Sequence, residues 1–271
     1  MIFIREISMI TIQKYVKASS LQEAYELNQN KRNTIIGGML WLRMGRGSVN
    51  TAIDLGDLGL NTIEEDEESF RIGAMVTLRQ LELHQSFNAY TDGTAAKAVQ
   101  DIVGVQFRNL ATVGGSIFGR FGFSDVLTVF QAYDTYVELY QGGIIPLEDF
   151  AMLKPDSDIL VRLIVKKKPG KFAYQAMRNA RTDFPVLTCA VSRVAGEYKV
   201  VIGARPGKAI VLRDAENIMK DGVNEASASA LASYVAERIP TGSNVRGSAA
   251  YRTHLAEVLT SRALLALQEK E

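Results

Sequence analysis

The stretch "ATVGGSIFGRFGFSD", residues 111–125, places four glycines among apolar residues, and the role of those glycines decides how the chain is interpreted. A second stretch, "TIIGGMLWLRMG" at residues 34–45, likewise has Gly-Gly after a strand-like apolar run. One Gly-Gly pair is typical of a turn, because glycine adopts positive φ without steric cost. Two such pairs also fit ligand loops, since backbone N–H groups that lack a neighbouring Cβ can converge on an anion. Both interpretations are open at this point.

The bulk composition limits the possible partners. The chain has 271 residues, with 31 Lys and Arg against 30 Asp and Glu. This length suits two domains with a sizeable core. The near-zero net charge provides no field that would attract nucleic acid or an anionic membrane, so we expect neither partner. The first ten residues lack the pattern of a secretory signal, and no apolar run reaches the ~18 residues of a spanning helix. We therefore expect a cytoplasmic protein without membrane insertion.

Cysteine and histidine are too few for a metal or iron–sulfur site in this chain, and no G-x-S-x-G motif indicates a hydrolase. Cys189, the one cysteine, lies in the apolar run "FPVLTCAV" and is predicted to be a core residue. It cannot form an internal disulfide or supply the several ligands of an iron–sulfur cluster. His84 and His254 lack the spacing of a metal motif. We assign no metal ligand and no catalytic residue, and expect His84 to interact with the C-terminal dipole of a helix.

Helix and strand signals alternate along the chain. The runs "NTII", "TAIDL" and "FRIGAM" predict strands, and Ser20, Thr77 and either Ser124 or Asp125 are predicted to cap helices. The stretch "TYVELYQGGIIPLEDF" predicts a hairpin that turns at Gly142. The basic, turn-forming run "KKKPGK" predicts a domain boundary that separates residues 1–168 from residues 169–271. Beyond it, strand candidates are followed by helix-like segments, which indicates an α+β domain.

An ordered set of motifs gives the chain a family resemblance. The stretches "IIGGMLWL" and "TVGGSI", the pair Ser124-Asp125, and "AIDLGDL", "RIGAMVTLRQLE", "VQFRNLATVGG", "PLEDF" and "VRGSAAYRTHLAEVLTSRAL" cover nearly the whole chain. Together they resemble the FAD-binding medium subunit of molybdenum hydroxylases, the group of xanthine dehydrogenase, carbon monoxide dehydrogenase and nicotinate dehydrogenase. The resemblance favours the interpretation of both Gly-Gly stretches as cofactor loops.

The resemblance implies a fold and a cofactor site. The fold would be α+β, with a two-lobed FAD-binding domain of the vanillyl-alcohol oxidase (PCMH) type at residues 1–168. A small α+β C-terminal domain of the molybdopterin dehydrogenase flavoprotein type would follow at residues 169–271. The two glycine loops would surround the FAD pyrophosphate and ribityl chain, Asp125 would accept from a cofactor hydroxyl, and Leu160 and the "RTDF" stretch would lie near the isoalloxazine. The implied FAD-binding residues are Ile35, Ile36, Gly37, Gly38, Met39, Leu40, Trp41, Thr112, Val113, Gly114, Gly115, Ser116, Asp125, Leu160 and Asp183.

The resemblance also implies an electron-transfer function in an oxidoreductase. A large molybdopterin subunit would oxidise the substrate, a small subunit would carry electrons over iron–sulfur clusters, and FAD in this chain would pass them to NAD or another acceptor. We expect the FAD to be non-covalent, because neither loop contains His or Cys. Two alternatives are a self-sufficient FAD-dependent oxidoreductase and a non-catalytic scaffold that has lost flavin. The sequence does not specify the substrate, the acceptor or the stoichiometry.

Some positions depart from the family pattern. Ser116 stands where the family usually has Asn, and "FGRFGFSD" replaces a commoner segment. Phe118, Phe121 and Phe123 would add bulk beside the cofactor. Arg120 would pair with phosphate or point to solvent, and Arg178 would substitute for a basic residue that the family has ahead of "RTDF".

Overall fold

The first lobe of the fold is a small parallel sheet. A computed structural model describes residues 10–268, so the expectation about a secretory signal, which rests on the first ten residues, lies almost entirely outside the described residues. Strand β1 (Thr11–Lys17) leads through helix α1 (Leu21–Asn28) to β2 (Thr34–Ile36), and β3 (Ser48–Asp54) follows a short 3₁₀ turn. The strands lie in the order β1-β3-β2, and both pairs are parallel. The predicted strands at "NTII" and "TAIDL" are confirmed.

The capping of α1 shows why this helix begins where the sequence predicts. The Ser20 Oγ accepts a hydrogen bond from the Glu23 N–H at 3.1 Å, as an N-cap side chain does. The Glu23 carboxylate accepts from the N–H and hydroxyl of Ser19, one residue earlier than in a closed capping box. The helix start is confirmed, with the reciprocal bond shifted to the preceding residue.

The second lobe is a five-stranded sheet covered by short helices. The elements in chain order are β4 (Ile63–Glu65), β5 (Ser69–Gly73), α2 (Leu78–Leu83), α3 (Gln85–Tyr90), α4 (Thr94–Val99), α5 (Val105–Arg108), α6 (Val113–Phe118), α7 (Asp125–Ala132), β6 (Thr135–Leu139), β7 (Gly143–Pro146), α8 (Leu147–Met152) and β8 (Leu160–Lys166). The strand order is β4-β5-β8-β6-β7, and every pair is antiparallel. The hairpin predicted around Gly142 is the β6–β7 pair.

Two helix predictions in this lobe need correction. Thr77 caps α2 in a complete capping box with Gln80, as expected. His84 does not act on the C-terminal dipole of α2; its Nδ1 accepts from the Phe87 N–H and caps α3 instead. The sequence does not distinguish the two roles, because a histidine between two consecutive helices fits the C-terminal pattern of the first and the N-terminal pattern of the second. The helix predicted over "GTAAKAVQDIV" ends at Val99, ahead of Val103, whose φ is +50°.

The C-terminal part is an antiparallel sheet packed against two helices. Its elements are β9 (Gly170–Arg178), β10 (Pro185–Val194), β11 (Glu197–Gly203), β12 (Ile210–Arg213), α9 (Glu225–Arg238) and α10 (Ala249–Gln268), with strand order β12-β11-β10-β9. Strands followed by helices confirm the predicted α+β class; β12 was not predicted. Cys189 is fully buried in β10, and burial raises the pKa of its thiol to about 12. The prediction of an inert core cysteine is confirmed.

Helix α7 joins the two parts of the molecule. All eight of its residues are buried, because the helix contacts β10 and β11 on one side and α4 and α6 on the other. Thr128 of α7 bonds Thr188 of β10 through their hydroxyls at 3.1 Å. One hydrophobic cluster therefore runs from the five-stranded sheet into β9, β10 and β11, with Phe172 and Tyr174 among its members. Among residues 10–268, no helix has the length and apolarity to cross a membrane.

Candidate cofactor site

The two Gly-Gly segments contact each other directly. A Cβ on Gly38 would lie 1.9 Å from the carbonyl oxygen of Leu110, and a Cβ on Gly37 would lie 2.8 Å from the Thr112 Oγ1. Only glycine permits these approaches, because either Cβ would overlap with a neighbouring atom. Gly37 and Gly115 are both exposed. The Gly-Gly pairs that the sequence places 77 residues apart therefore form one surface, with a glycine of each open to a ligand.

The first segment carries backbone donors that have no partner. In the described part of the chain, the N–H groups of Gly38, Met39, Leu40 and Trp41 have no hydrogen-bond acceptor. Met39 is left-handed, with φ of +57°, a conformation that turns successive N–H groups toward one side of the chain. Adjacent unpaired N–H groups are suited to bind an anionic group such as a pyrophosphate.

The second segment is a helix and not the open loop that the sequence suggests. The N–H groups of Val113 and Gly114 donate to the carbonyls of Val76 and Ala74, each at 2.8 Å, and the Gly115 N–H donates to the Thr112 Oγ1 at 3.1 Å. Neither glycine has a positive φ. The expectation that these N–H groups converge on an anion is therefore wrong for Val113 and Gly114. Gly114 is a glycine because its Cβ would lie 2.6 Å from the Ala74 carbonyl oxygen.

Ser116 and Arg120 both turn inward. The Ser116 hydroxyl donates to the Thr112 carbonyl at 2.9 Å. Arg120 neither points to solvent nor lies open to a phosphate: it is 4% exposed, its Nε donates to the Phe150 carbonyl, and its guanidinium stacks on the Phe150 ring at 3.8 Å. Burial lowers the pKa of this guanidinium. This arginine is a structural residue that the sequence pattern did not reveal.

Asp125 lies in a buried polar cluster between the two parts of the molecule. Its Oδ1 accepts from the Tyr174 hydroxyl and from an Arg178 Nη, each at 2.5 Å, and its residue exposure is 4%. Burial raises the pKa of Asp125 to about 6, although the positive charge of Arg178 and the bond from Tyr174 act in the opposite direction. The carboxylate at the N-terminal end of α7 thereby holds two side chains of β9. Its predicted bond to a cofactor hydroxyl is not tested by these contacts.

An aromatic cluster lies beside the first loop, at the seam between the two parts of the molecule that α7 joins. The ring of Trp41 lies 5.5 Å from Phe123 and 5.6 Å from Phe184, and Phe121 stacks on Phe123 at 5.2 Å. These rings come from the first loop, the segment after α6 and the turn before β10. Trp41 and Phe121 remain 44% and 39% exposed. The cluster is an apolar surface that spans both parts of the chain.

A cavity of about 410 Å³, the seam cavity, opens next to this cluster. Its size falls within the range of small-molecule pockets, about 300–1,000 Å³. The wall includes Trp41, Phe123, Phe184, Lys208, Asn244 and Arg246. The last three come from turns of the C-terminal part, "RPGK" and "NVRG", and the sequence analysis assigned none of them to the site, although Arg246 lies in the quoted C-terminal motif. Periodicity gives no signal for such residues, because turns at separate places meet only in the folded chain.

Asp183 and Leu160 occupy different surroundings. The Asp183 carboxylate pairs with an Arg246 Nη at 3.2 Å, and its backbone carbonyl accepts from Arg178 at 2.7 Å. A backbone N–H bond from Phe184 and the Arg246 guanidinium lower the pKa of Asp183. Leu160 is 4% exposed in the core of the five-stranded sheet. Asp183 is thus next to the cavity wall, whereas Leu160 packs inside the first part.

Comparisons with known families match this arrangement along the chain. The family described as the FAD binding domain in molybdopterin dehydrogenase matches residues 8–167. The family described as the CO dehydrogenase flavoprotein C-terminal domain matches residues 172–267. The chain belongs to the FAD-binding subunits of the molybdenum hydroxylase family. It is therefore an oxidoreductase flavoprotein subunit, as the sequence resemblance predicted.

Curated relatives and solved structures extend over nearly the whole flavoprotein subunit. It is 25% identical over 285 residues to the xanthine dehydrogenase FAD-binding subunit of Escherichia coli O157:H7, covering 94% of this chain and 96% of that one. It is 26% identical over 255 residues to the uncharacterized protein YgfM of Escherichia coli K12, covering 92% and 94%. Reconstituted CO dehydrogenase from Oligotropha carboxidovorans shares the fold at a TM-score of 0.84 and 20% identity, covering 96% and 99%. Quinoline 2-oxidoreductase from Pseudomonas putida 86 does so at 0.82 and 18%, covering 97% and 99%.

The residues of this flavoprotein subunit fit a dinucleotide cofactor. The unpaired N–H groups of residues 38–41 suit the pyrophosphate, and the glycine surface at Gly37 and Gly115 leaves room where any Cβ would intrude. The aromatic wall of Trp41 and Phe184 suits a planar ring. These features are continuous from the glycine loops to the cavity, because Trp41 belongs to the first loop and also lines the cavity.

Proposed function

We propose that this subunit transfers electrons within a multi-subunit hydroxylase. It takes electrons from iron–sulfur clusters of a small partner chain, which receives them from a large molybdopterin chain, and passes them to NAD or another acceptor. The proposal is supported by the two family matches, which occur in order over residues 8–167 and 172–267. It is also supported by the single, buried Cys189, because a cluster needs several thiolate ligands that separate chains must provide.

We propose that the fifteen residues implied by the resemblance form the FAD site, with Val113 and Gly114 acting through packing and not through their N–H groups, within a domain of residues 1–168 that precedes a C-terminal domain of residues 169–271. The N–H groups after Gly37 would bind the pyrophosphate, and the exposed face of α6 at Gly115 would form the opposing wall. Asp125 would lie by a cofactor hydroxyl and Asp183 near the ring, as the resemblance implies, and the buried Leu160 would contribute through packing. Bound FAD supplies the redox chemistry, and the residues of this chain bind it, orient it and shape its electrostatic surroundings.

The observation that carries the proposal is the unpaired donor set of the first loop. Four neighbouring N–H donors without a protein acceptor, next to the left-handed Met39, are free to bind one anionic group. Hydrogen bonds to a charged acceptor contribute about 1.5–3 kcal/mol each, so this set can hold a pyrophosphate without a lysine.

The first test is the visible absorbance of the purified chain. We expect FAD in a ratio near one per polypeptide after the chain is supplied with the cofactor. A chain that stays colourless in saturating FAD would support the scaffold alternative and contradict the proposal.

The second test uses the complex. The chain is produced together with its cluster-bearing and molybdopterin-bearing partners, and substrate is added without acceptor. We expect the flavin absorbance of this subunit to bleach in the complex, and to stay unchanged when substrate is added to the isolated chain. Rapid bleaching of the isolated chain by the same substrate would identify a self-sufficient oxidoreductase. A complex in which the clusters are reduced but the flavin is not would overturn the relay.

A further inference from the structure

Two cations line the seam cavity, and only one of them is available to a ligand. The Lys208 Nζ donates to the carbonyls of Ala151, Met152 and Leu153, at 2.8, 3.4 and 3.2 Å. These carbonyls end helix α8, so the ammonium charge faces the negative end of that helix. Lys208 therefore contributes its aliphatic stem to the cavity wall, while its charge is directed elsewhere.

Arg246 keeps its charge at the cavity. Its guanidinium stacks on the Phe184 ring at 4.8 Å, and one Nη pairs with Asp183 at 3.2 Å. Within the described residues its buried Nε has no hydrogen-bond partner. Arg246 and Phe184 line the cavity and Asp183 does not. Arg246 therefore presents its positive charge at the cavity wall, whereas its partner Asp183, with a 35% exposed side chain, does not line the cavity.

A buried arginine fixes the turn that carries Arg246. The Arg252 side chain is 0% exposed; its guanidinium donates to the carbonyls of Val186, Gly242 and Gly247 and to the Asn244 Oδ1. That same Asn244 oxygen accepts from the Arg246 N–H at 2.9 Å. The turn is thus held to β10 and to α10, and Arg246 starts from a fixed backbone position.

We propose that Arg246 sets the redox potential of the bound flavin, and that Asp183 moderates this effect as the counter-charge. The inference rests on the proposed function, in which the flavin ring occupies the seam cavity. Trp41, Phe123 and Phe184 would then be the apolar walls, and Arg246 the positive charge beside the ring.

The direction of the effect follows from charge. Two electrons and one proton convert oxidised FAD into its anionic reduced form, with the electrons supplied in the experiment by dithionite. A positive charge beside the ring stabilises the reduced form more than the oxidised form, and a negative charge does the opposite. Loss of the Arg246 charge should therefore lower the potential, and loss of the Asp183 charge should raise it.

The test compares four variants of the full-length chain loaded with FAD. Arg246→Gln removes the positive charge, Arg246→Lys retains it, and Asp183→Asn removes the counter-charge. Arg238→Gln is the matched control, because this arginine likewise pairs with a carboxylate, Glu216 at 2.8 Å, and stacks on an aromatic ring, Tyr234 at 3.7 Å, but does not line the cavity. Potentials are measured by dithionite titration against a reference dye, and FAD affinity is measured separately.

The expected shifts have opposite signs. Arg246→Gln should weaken binding of reduced FAD relative to oxidised FAD about tenfold, which is a fall of about 30 mV for a two-electron couple. Asp183→Asn should raise the potential, and Arg246→Lys and Arg238→Gln should leave it near the parent value. If Arg246→Gln does not retain FAD, the upward shift in Asp183→Asn decides the question.

The outcomes separate this inference from the proposed function. Unchanged potentials in Arg246→Gln and Asp183→Asn, with FAD still bound, overturn the inference and leave the flavoprotein function intact. Shifts of the same sign in both variants also overturn it, because they would reflect a disturbed turn and not a charge effect. A parent chain that binds no FAD overturns both.

Discussion

Alanine substitutions at Gly114 and Gly115 should affect two different properties of the protein. A Cβ at Gly114 would lie 2.6 Å from the Ala74 carbonyl oxygen and 2.7 Å from the Ala74 Cβ. That carbonyl accepts the Gly114 N–H at 2.8 Å, so the backbone cannot move away without losing the bond. Overpacking of this kind costs about 1–3 kcal/mol. We expect Gly114→Ala to lower the free energy of unfolding by about 2 kcal/mol.

Gly115→Ala should leave the stability nearly unchanged. Its Cβ would contact only the Thr112 Oγ1, at 3.1 Å, and the residue is exposed in a helix with negative φ. Alanine is favoured over glycine in a helix by about 0.5–1 kcal/mol, which offsets a small displacement of the threonine. The added methyl group would, however, occupy the face proposed to contact FAD. We expect the affinity for FAD to fall about tenfold or more, which corresponds to about 1.4 kcal/mol.

The assay pairs urea unfolding of both variants with titration of FAD. Urea midpoints report stability, and the flavin absorbance of the bound fraction reports affinity. Parent-like FAD affinity in Gly115→Ala would refute the assignment of the exposed face of α6 to the cofactor. Parent-like stability in Gly114→Ala would refute the packing argument at Ala74. Either result leaves the other conclusion standing.

Three further predictions concern the cofactor, a charge and an anchor. FAD should separate from the polypeptide on acid precipitation, because the proposed loops contain neither His nor Cys; flavin in the washed precipitate would contradict this. Burial raises the pKa of Asp125 from 3.8 to about 6, so ionisation of this carboxyl destabilises the fold as pH rises through that range. The stability of the parent relative to Asp125→Asn should therefore fall by about 1 kcal/mol between pH 5 and pH 7. A relative stability that rises with pH would show that the folded pKa is depressed. Arg252→Met should lower the free energy of unfolding by about 3 kcal/mol or more, because the buried Val186 carbonyl and three further acceptors lose their donor. Exposed Arg43→Met should change it by less than about 0.5 kcal/mol, and similar effects of both would disprove the anchoring role.

The sequence by itself determined the class of the fold, the family and the positions of most elements. Local chemistry is sufficient for these features: Ser20 and Thr77 cap helices through bonds to residues three positions ahead, and Gly142 lies in a hairpin turn. The order of motifs from "IIGGMLWL" to the C-terminal helix identified a flavoprotein subunit, because motif order does not depend on three-dimensional contacts.

Only the tertiary structure decided what the individual side chains and glycines do. Gly114 is required by the carbonyl of Ala74, 40 residues earlier in the chain, and no local pattern contains that distance. Asp125 is paired with β9, and Arg246 reaches the cavity from a turn near the C-terminal helix. Contacts between distant segments set burial and charge pairing, which is why the sequence could name the cofactor but could not place the charges around it.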